Sequence, residues 1–504
     1  MVVTSVASTM PLYCPHAGKR MYPLTLDALK HAALALFAVA LTGCATLSSD
    51  AELPPTVRQA LQTAGLDATH LGLVAWPLSG RGQGLRLNAQ QSMQPGSTMK
   101  VVTTVVALDR LGANARSRTD VLAAVPPNGD VVAGPLYLRG GADTDLDWGA
   151  LWNLLRQLRE SGVRHIQGGL VVDRTLFRPA RLDSGAPQFD ESPEFQYNAI
   201  PDALYLNGNM MAFTLRADAQ SFLATANPAL PGFRIDSTAM ELVDRPCSAW
   251  EDGWTIPAVQ HQGGAATVVL AGQFPRNCIQ RPDLNLIERQ WITSAMVRQI
   301  WTQLGGQIDG VDREGATPAG AVVLASHLGR PLAEVARGMM KRSDNPLTRL
   351  LFLRLGASAA KGEEPTLDAA ARVVREWFVA KDIPTEGLVM DNGSGLSRSE
   401  RITPQQMATL LSLAYRGPLA PELLSSLPIA GVDGTMTRRL KGTPAEGRAR
   451  LKTGTLKNAV GLAGFVLDRE NRMWVVAAMV NHENASAKGA PVLDSVAEWA
   501  ASQP

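Results

Sequence analysis

The chain has 504 residues, 45% of them hydrophobic and 19% charged, with a formal net charge of +2. These are the proportions of an ordinary folded protein, and a charge this close to balance gives no hint of nucleic-acid binding. The seven histidines are scattered, and neither a His-Glu-x-x-His pair, a finger-like Cys/His spacing nor a Gly-x-Ser-x-Gly elbow occurs, so no metal signature stands in the sequence.

The informative N-terminal feature is the apolar run Ala32 to Leu41, which ends in small residues before a cysteine. It is too short to span a membrane, which takes roughly 20 residues, and it reads as a signal peptide. Leu41-Thr42-Gly43-Cys44 resembles a lipobox, in which cleavage before Cys44 is coupled to its lipidation, leaving residues 44–504 on a lipid anchor. An ordinary cleaved signal with an incidental Cys44 is the alternative, and either Met1 or Met21 suits as the start. Leu71 to Trp76 and Leu85 to Leu87 predict a hairpin; its connection Gly80-Arg81-Gly82-Gln83-Gly84 lacks the spacing of a phosphate loop. Pro95-Gly96 then breaks the chain before Ser97. The apolar run Lys100 to Leu108, stopping at Gly112, predicts a buried helix that begins near the serine.

Further along, Pro135 to Gly141 reads as strand and turn. Trp148 to Ser161 reads as an amphipathic helix with Leu151, Leu154, Leu155 and Leu158 on one side, and Gly168 to Asp173 as a second strand, a β-helix-β pattern. Pro246 to Pro282 has too weak a period to assign. Cys247 and Cys278 fall there; in an oxidising envelope compartment they read as a disulfide rather than a metal pair, with Cys14 lost in the leader. Leu332 to Met340 is amphipathic and Pro346 to Leu351 opens another helix. Val460 to Leu467 and Met473 to Val480 are strand-like around the turn Asp468-Arg469-Glu470-Asn471. One sheet can therefore draw strands from both ends of the chain.

Three short words stand along this pattern: Ser97-Thr98-Met99-Lys100, Ser343-Asp344-Asn345 and Lys452-Thr453-Gly454. Each alone occurs by chance; their order and setting point to serine acyl transfer. At a helix N-terminus, the unpaired N–H groups and the dipole favour the Ser97 alkoxide and the oxyanion that follows. Lys100 lies one turn on, on the same face, and a buried lysine among cations can shed its proton near neutral pH and act as general base. Ser343-Asp344-Asn345 falls between two helices. There Ser343 relays a proton to the leaving amine, Asn345 holds Lys100 and the substrate backbone, and Asp344 is structural, although all three residue types also suit a plain helix cap. Lys452-Thr453-Gly454 is expected on an exposed strand edge that an extended peptide joins, Gly454 allowing close approach and Lys452 and Thr453 meeting a terminal carboxylate. The amides of Ser97 and Thr455 would form the oxyanion hole.

Taken with Leu136 to Gly141, Gly169 to Asp173, Tyr197-Asn198-Ala199, Leu204 to Asn209 and Asp391 to Arg398, these words make the chain resemble the type 4 penicillin-binding proteins, the class C D-alanyl-D-alanine carboxypeptidase/endopeptidases. The resemblance implies an α/β fold, a transpeptidase/β-lactamase-like sandwich of sheet and helices with two smaller domains inserted between the first and second words. Its expected segments are 1–43 (signal), 44–115, the inserted 116–320, and 321–504. It also implies cleavage of terminal D-Ala and of D-Ala-diaminopimelate crosslinks in peptidoglycan through an acyl-enzyme on Ser97. Peptidoglycan and muropeptides are the implied partners and β-lactams the covalent inhibitors; no cofactor, metal or nucleic acid is implied, and the protein would sit in the periplasm, lipid-anchored to the envelope membrane. A side pocket for diaminopimelate maps onto Asp173, Arg398 and Lys457, the lysine departing from the expected amide. Asp391 to Arg398 is otherwise a tight Gly-rich turn. Two other functions share some features: a class A β-lactamase, too compact for the long stretch between Ser97 and Ser343, and a lipid-anchored scaffold without activity.

Overall fold

Pro54 and Pro55 open the first helix, α1 (Pro55–Ala64), where a proline's missing N–H leaves no bond unmade, and Gly65 closes it at φ 64°. The computed structural model describes residues 53–79, 83–185 and 192–504; the expected signal peptide, Cys44 and Gly80-Arg81-Gly82 lie outside the described residues. Strands β1 (Leu71–Pro77) and β2 (Leu85–Leu87) pair antiparallel, Leu73 opposite Leu87. Helix α2 (Met99–Leu111) is buried at every residue from Met99 to Leu108, which is why its sequence is an apolar run and not a one-sided stripe.

Beyond α2 the chain leaves this body through β3 (Arg118–Ala123). It then forms β4 (Val131–Val132), β5 (Leu136–Arg139), α3 (Trp148–Glu160), β6 (His165–Ile166) and β7 (Leu170–Asp173), with β5 and β7 parallel across the α3 crossover. Leu151, Leu154, Leu155 and Leu158 are the buried side of α3. A second group of strands follows: β8 (Met211–Ala217), β9 (Phe222–Asn227), β10 (Phe233–Val243), β11 (Trp254–Gln262), β12 (Ala265–Pro275), β13 (Cys278–Gln280) and β14 (Asp283–Leu284). After α4 (Arg289–Gln303) come β15 (Gln307–Ile308), β16 (Arg313–Glu314) and β17 (Val322–Leu328). The first group is a five-stranded sheet ordered β16-β7-β5-β3-β17 beside β15-β6-β4; the second comprises β10-β12-β11 and β13-β8-β14 with β9 on β8. Leu328 sits opposite Arg118, so the inserted region enters and exits through neighbouring strands. Its exit therefore lies past Leu328, later than the expected end at 320.

Back in the first body the chain supplies α5 (Leu332–Arg342), α6 (Asn345–Ala359), α7 (Thr366–Ala380), α8 (Pro404–Arg416) and α9 (Ala420–Ser426). The chain then runs through β18 (Ala449–Leu456), β19 (Ala459–Leu467), β20 (Met473–Asn481) and α10 (Ala485–Ala501). The main antiparallel sheet is ordered β18-β19-β20-β1-β2, so both ends of the chain meet in it. Along β20, Val475, Ala477 and Met479 face the core under α2 and α5 to α8, while Trp474, Val476, Ala478 and Val480 face the core under α1 and α10. Helices cover both faces, and the strand accordingly reads as an unbroken apolar run. Among the described residues no helix is long and apolar enough to cross a membrane.

Candidate active site

Ser97 sits in a single 3-10 turn, Gly96–Thr98, that leads directly into α2. Thr98 anchors that turn by donating its hydroxyl to the Pro95 carbonyl at 2.8 Å. The turn is pressed against the sheet by glycines. A side chain on Gly454 would stand 2.5 Å from the Pro95 oxygen and 2.7 Å from the Ser97 nitrogen, and one on Gly461 would meet Pro95 and Thr98. Gly454 thus makes room for the backbone at Ser97, where the sequence suggested room for substrate.

Lys100, fully buried, points its amine back along the helix face to three oxygens: Ser97 Oγ at 3.0 Å, Asn345 Oδ1 at 2.6 Å and the Ser394 carbonyl at 2.5 Å. Asn345 donates its Nδ2 to the Tyr197 carbonyl, which turns Oδ1 towards the lysine. Both Oδ1 and the Ser394 carbonyl only accept. A neutral Lys100 therefore spends its two hydrogens on them and leaves its lone pair facing the Ser97 hydroxyl. Burial brings the Lys100 pKa down to about 7, opposed by the carboxylates of Glu400 and Asp344, so the neutral amine is accessible at physiological pH.

The second word lies at the junction of α5 and α6. Ser343 ends α5 in the left-handed conformation, φ 59°, and Asp344 caps α6 by accepting the Leu347 amide at 2.9 Å. Between the two helix ends, Ser343 Oγ accepts a hydrogen bond from Lys452 Nζ at 2.8 Å, and Lys452 also donates to the Thr453 carbonyl at 2.7 Å. Lys452 is fully buried, and burial together with the Lys100 charge holds its pKa well below the lysine range. Strand β18 is the edge of the main sheet, but it is not the open edge the sequence suggested. Its first half pairs with the Pro428–Ala430 segment, through the Leu451 amide to Pro428 and the Ala430 amide to Ala449, and Lys452 to Gly454 are buried. The free edge begins at Thr453. There the Thr453 hydroxyl donates to that of Thr435 at 2.8 Å, a partner that no motif singled out.

Glu400 is a larger omission. It is fully buried, and its two oxygens accept the backbone amides of Asp391, Asn392, Gly393 and Gly395, the shortest being 2.6 Å from Gly393. Thr103 on α2 adds a 2.6 Å bond to the Gly393 carbonyl. The Asp391 to Arg398 loop is therefore a frame that carries the Ser394 carbonyl to Lys100. Burial pushes the Glu400 pKa up to about 7, against the pull of the amides. The signal was a lone glutamate beside a Gly/Ser-rich turn, and partners that are all main chain leave no residue pattern.

Of the three residues expected to form the side pocket, Asp173 stands apart from Arg398 and Lys457. Arg398 is exposed, and its carbonyl accepts the Gln94 side chain at 2.7 Å. Lys457 is exposed in the β18–β19 turn, and Ala459 just beyond it pairs with Asn481, which exchanges two hydrogen bonds with the Gln94 backbone. Asp173 is elsewhere. Its carboxylate accepts the amides of Thr175 and Thr317, and it borders a cavity lined also by Leu111, Arg354, Ala357 and Ser358, the C-terminal ends of α2 and α6. Lys100 and Asn345 occupy the other ends, and α2 alone rises about 16 Å from Lys100 to Leu111. Asp173 is therefore withdrawn from the side pocket. Cys247 and Cys278 are bonded to each other in the inserted region, and no cluster of three His, Cys, Asp or Glu among the described residues is placed to hold a metal.

Residues 51–503 match the D-Ala-D-Ala carboxypeptidase 3 (S13) family. The chain is 29% identical over 423 residues to a D-alanyl-D-alanine carboxypeptidase of Actinomadura sp. (strain R39), covering 81% of this chain and 76% of that protein. It is 26% identical over 402 residues to D-alanyl-D-alanine carboxypeptidase DacB of Haemophilus influenzae, covering 78% and 81%. The crystal structure of penicillin binding protein 4 (dacB) from Haemophilus influenzae aligns with a TM-score of 0.72 at 22% identity, over 88% of this chain and 98% of that one. That likeness shows the penicillin-binding, transpeptidase-like fold with inserted domains, and the resemblance read from the sequence is borne out. The chain belongs to the D-Ala-D-Ala carboxypeptidase 3 (S13) family of serine hydrolases.

Proposed function

We propose that this chain hydrolyses the terminal D-Ala-D-Ala bond of peptidoglycan stem peptides and the D-Ala-diaminopimelate crosslink through an acyl-enzyme on Ser97. The observation that carries the reading is the 3.0 Å contact between Lys100 Nζ and Ser97 Oγ, with both other contacts of the amine ending on pure acceptors. Neutral Lys100 takes the hydroxyl proton as Oγ bonds to the D-alanyl carbonyl carbon. The amides of Ser97 and Thr455 receive the oxyanion; the Thr455 nitrogen lies 3.1 Å from where a side chain on Gly96 would begin, beside the nucleophile's turn. The C–N bond then breaks as Ser343, held by Lys452, relays the proton taken up by Lys100 to the leaving amine, which returns Lys100 to its neutral form. Water, deprotonated by the same base, attacks the ester and frees Ser97. β-Lactams enter by the same attack, their ring amide opening onto Ser97.

The substrate lies along the free part of the β18 edge, its terminal carboxylate at the Thr453 and Thr435 hydroxyls and in the field of Lys452. Arg398, with Lys457 as a second cation, meets the free carboxylate of diaminopimelate. Mass spectrometry after incubation with crosslinked muropeptides tests the reading. Free D-Ala and uncrosslinked monomers are expected from the wild type and neither from Ser97→Ala. Intact dimers with free D-Ala would restrict the activity to carboxypeptidase, and no product at all would contradict it.

The same proposal places the enzyme in the periplasm on a lipid anchor at Cys44, on the support of the Leu41-Thr42-Gly43-Cys44 lipobox. Cys44→Ser is expected to move the protein out of the membrane fraction. Unchanged lipid labelling in that variant would refute the anchor.

A further inference from the structure

Four arginines crowd one cavity that the acyl-transfer chemistry leaves unused. It has a volume of about 610 Å³, and Arg116, Arg118, Arg139 and Arg354 line it together with Asp120 and Asp173. Both carboxylates are already engaged by the fold. Asp120 accepts the Ser326 hydroxyl at 2.6 Å and pairs with Arg118 and Arg139, each at 2.9 Å, and Asp173 holds the Thr175 and Thr317 amides. Arg116 donates to the Gly329 carbonyl at 3.2 Å.

Arg354 is different. It is partly buried and has no hydrogen-bond or ion-pair partner among the described residues. The charge that acts on it is Asp143, whose oxygens are taken by Thr119, His327 and the Asp145 amide. Among the residues that line the cavity, four guanidiniums face two carboxylates, and Asp143, which acts on Arg354, lies outside that lining. A desolvated guanidinium that no carboxylate bonds directly carries a cost that an incoming anion offsets. Its planar fork also matches the paired oxygens of a carboxylate or phosphate.

We propose that this cavity, at the far ends of α2 and α6 from Ser97, binds a compact doubly charged oxyanion, a phosphate monoester or a dicarboxylate, with Arg354 and Arg139 as its main contacts. Titration calorimetry of the full chain at low ionic strength, with inorganic phosphate and separately with glutarate, tests it. Saturable binding of one equivalent of at least one probe is expected. Tighter binding of phosphate assigns the site to phosphate monoesters, and tighter binding of glutarate assigns it to dicarboxylates. Arg354→Gln is expected to weaken binding by about tenfold or more, the scale of a lost charge-assisted pair. Ser358→Glu adds a carboxylate to the cavity wall while removing no cation; it is expected to weaken the same probe with the fold intact, and it decides the matter if Arg354→Gln does not fold. No saturable binding of either probe, or binding that neither substitution alters, overturns the proposal.

Discussion

Gly395 and Gly96 meet backbone to backbone: the Gly96 carbonyl oxygen occupies the space where a side chain on Gly395 would begin. Gly395 also holds φ 79°, a region that costs other residues about 1–2 kcal/mol. Gly395→Ala must therefore both strain its own backbone and push the turn that carries Ser97 off the sheet. The expected result is a loss of about 3 kcal/mol or more in stability, with slower penicillin labelling of whatever remains folded. A thermal melt and a labelling rate that both match wild type would show that this contact does not position Ser97.

Acylation should follow the protonation of Lys100. As a base it works only without its proton, and with a pKa of about 7 the rate is expected to rise with pH through an inflection near 7 and then level off. Glu400 is pushed into the same range, so the inflection belongs to the pair. Lys100→Arg, which stays charged, should lose about 10²–10⁴-fold in acylation rate, the usual weight of a general base. Stopped-flow acylation across pH 5 to 9, a range chosen to bracket that inflection, is the measurement; an unshifted profile in Lys100→Arg would assign the base to another residue.

Glu400→Gln separates positioning from mere support. The Glu400 carboxylate favours the charged lysine, so its removal should lower the Lys100 pKa and move the inflection to lower pH. The plateau rate should fall as well. A glutamine presents hydrogens to amides that only donate, loosening the loop that carries the Ser394 carbonyl. A variant that is less stable but keeps the inflection in place would reduce Glu400 to a structural role.

Asp173→Ala should act on the fold and not on substrate choice. It strips the Thr175 and Thr317 amides of their acceptor, at a cost of about 1–3 kcal/mol. The ratio of diaminopimelate-peptide cleavage to penicillin acylation is expected to stay at the wild-type value. A selective loss of peptide cleavage would return Asp173 to the substrate.

The parts of this structure that were legible in the sequence are those whose side chains report their surroundings. Strands β19 and β20 are apolar throughout because helices cover both faces, and the leucines of α3 repeat at helical spacing because one side is buried. The region after Pro246 was not legible for the opposite reason. Strand β11 is mostly exposed, and a register shift after Thr255 breaks its alternation. In the site, Ser97, Lys100, Ser343, Asn345 and Lys452 stand in recognisable words, and the fold bonds them in two sets, Lys100 to Ser97 and Asn345, and Lys452 to Ser343. Glu400 and Thr435 escaped notice because backbone amides and a single hydroxyl select no motif. Gly454 and Asp173 were misread because a position along the chain does not say which atoms lie across from it. Gly454 faces Pro95 and Ser97, and Asp173 faces the far end of α6.

The most direct test of the account is the mass of the protein after brief exposure to benzylpenicillin, followed by peptide mapping. One adduct of the intact antibiotic is expected on the peptide containing Ser97, slow to disappear, and none on Ser97→Ala. An adduct on a different residue, or a wild-type protein that never gains the mass while it remains folded, would contradict the assignment of Ser97 as the nucleophile.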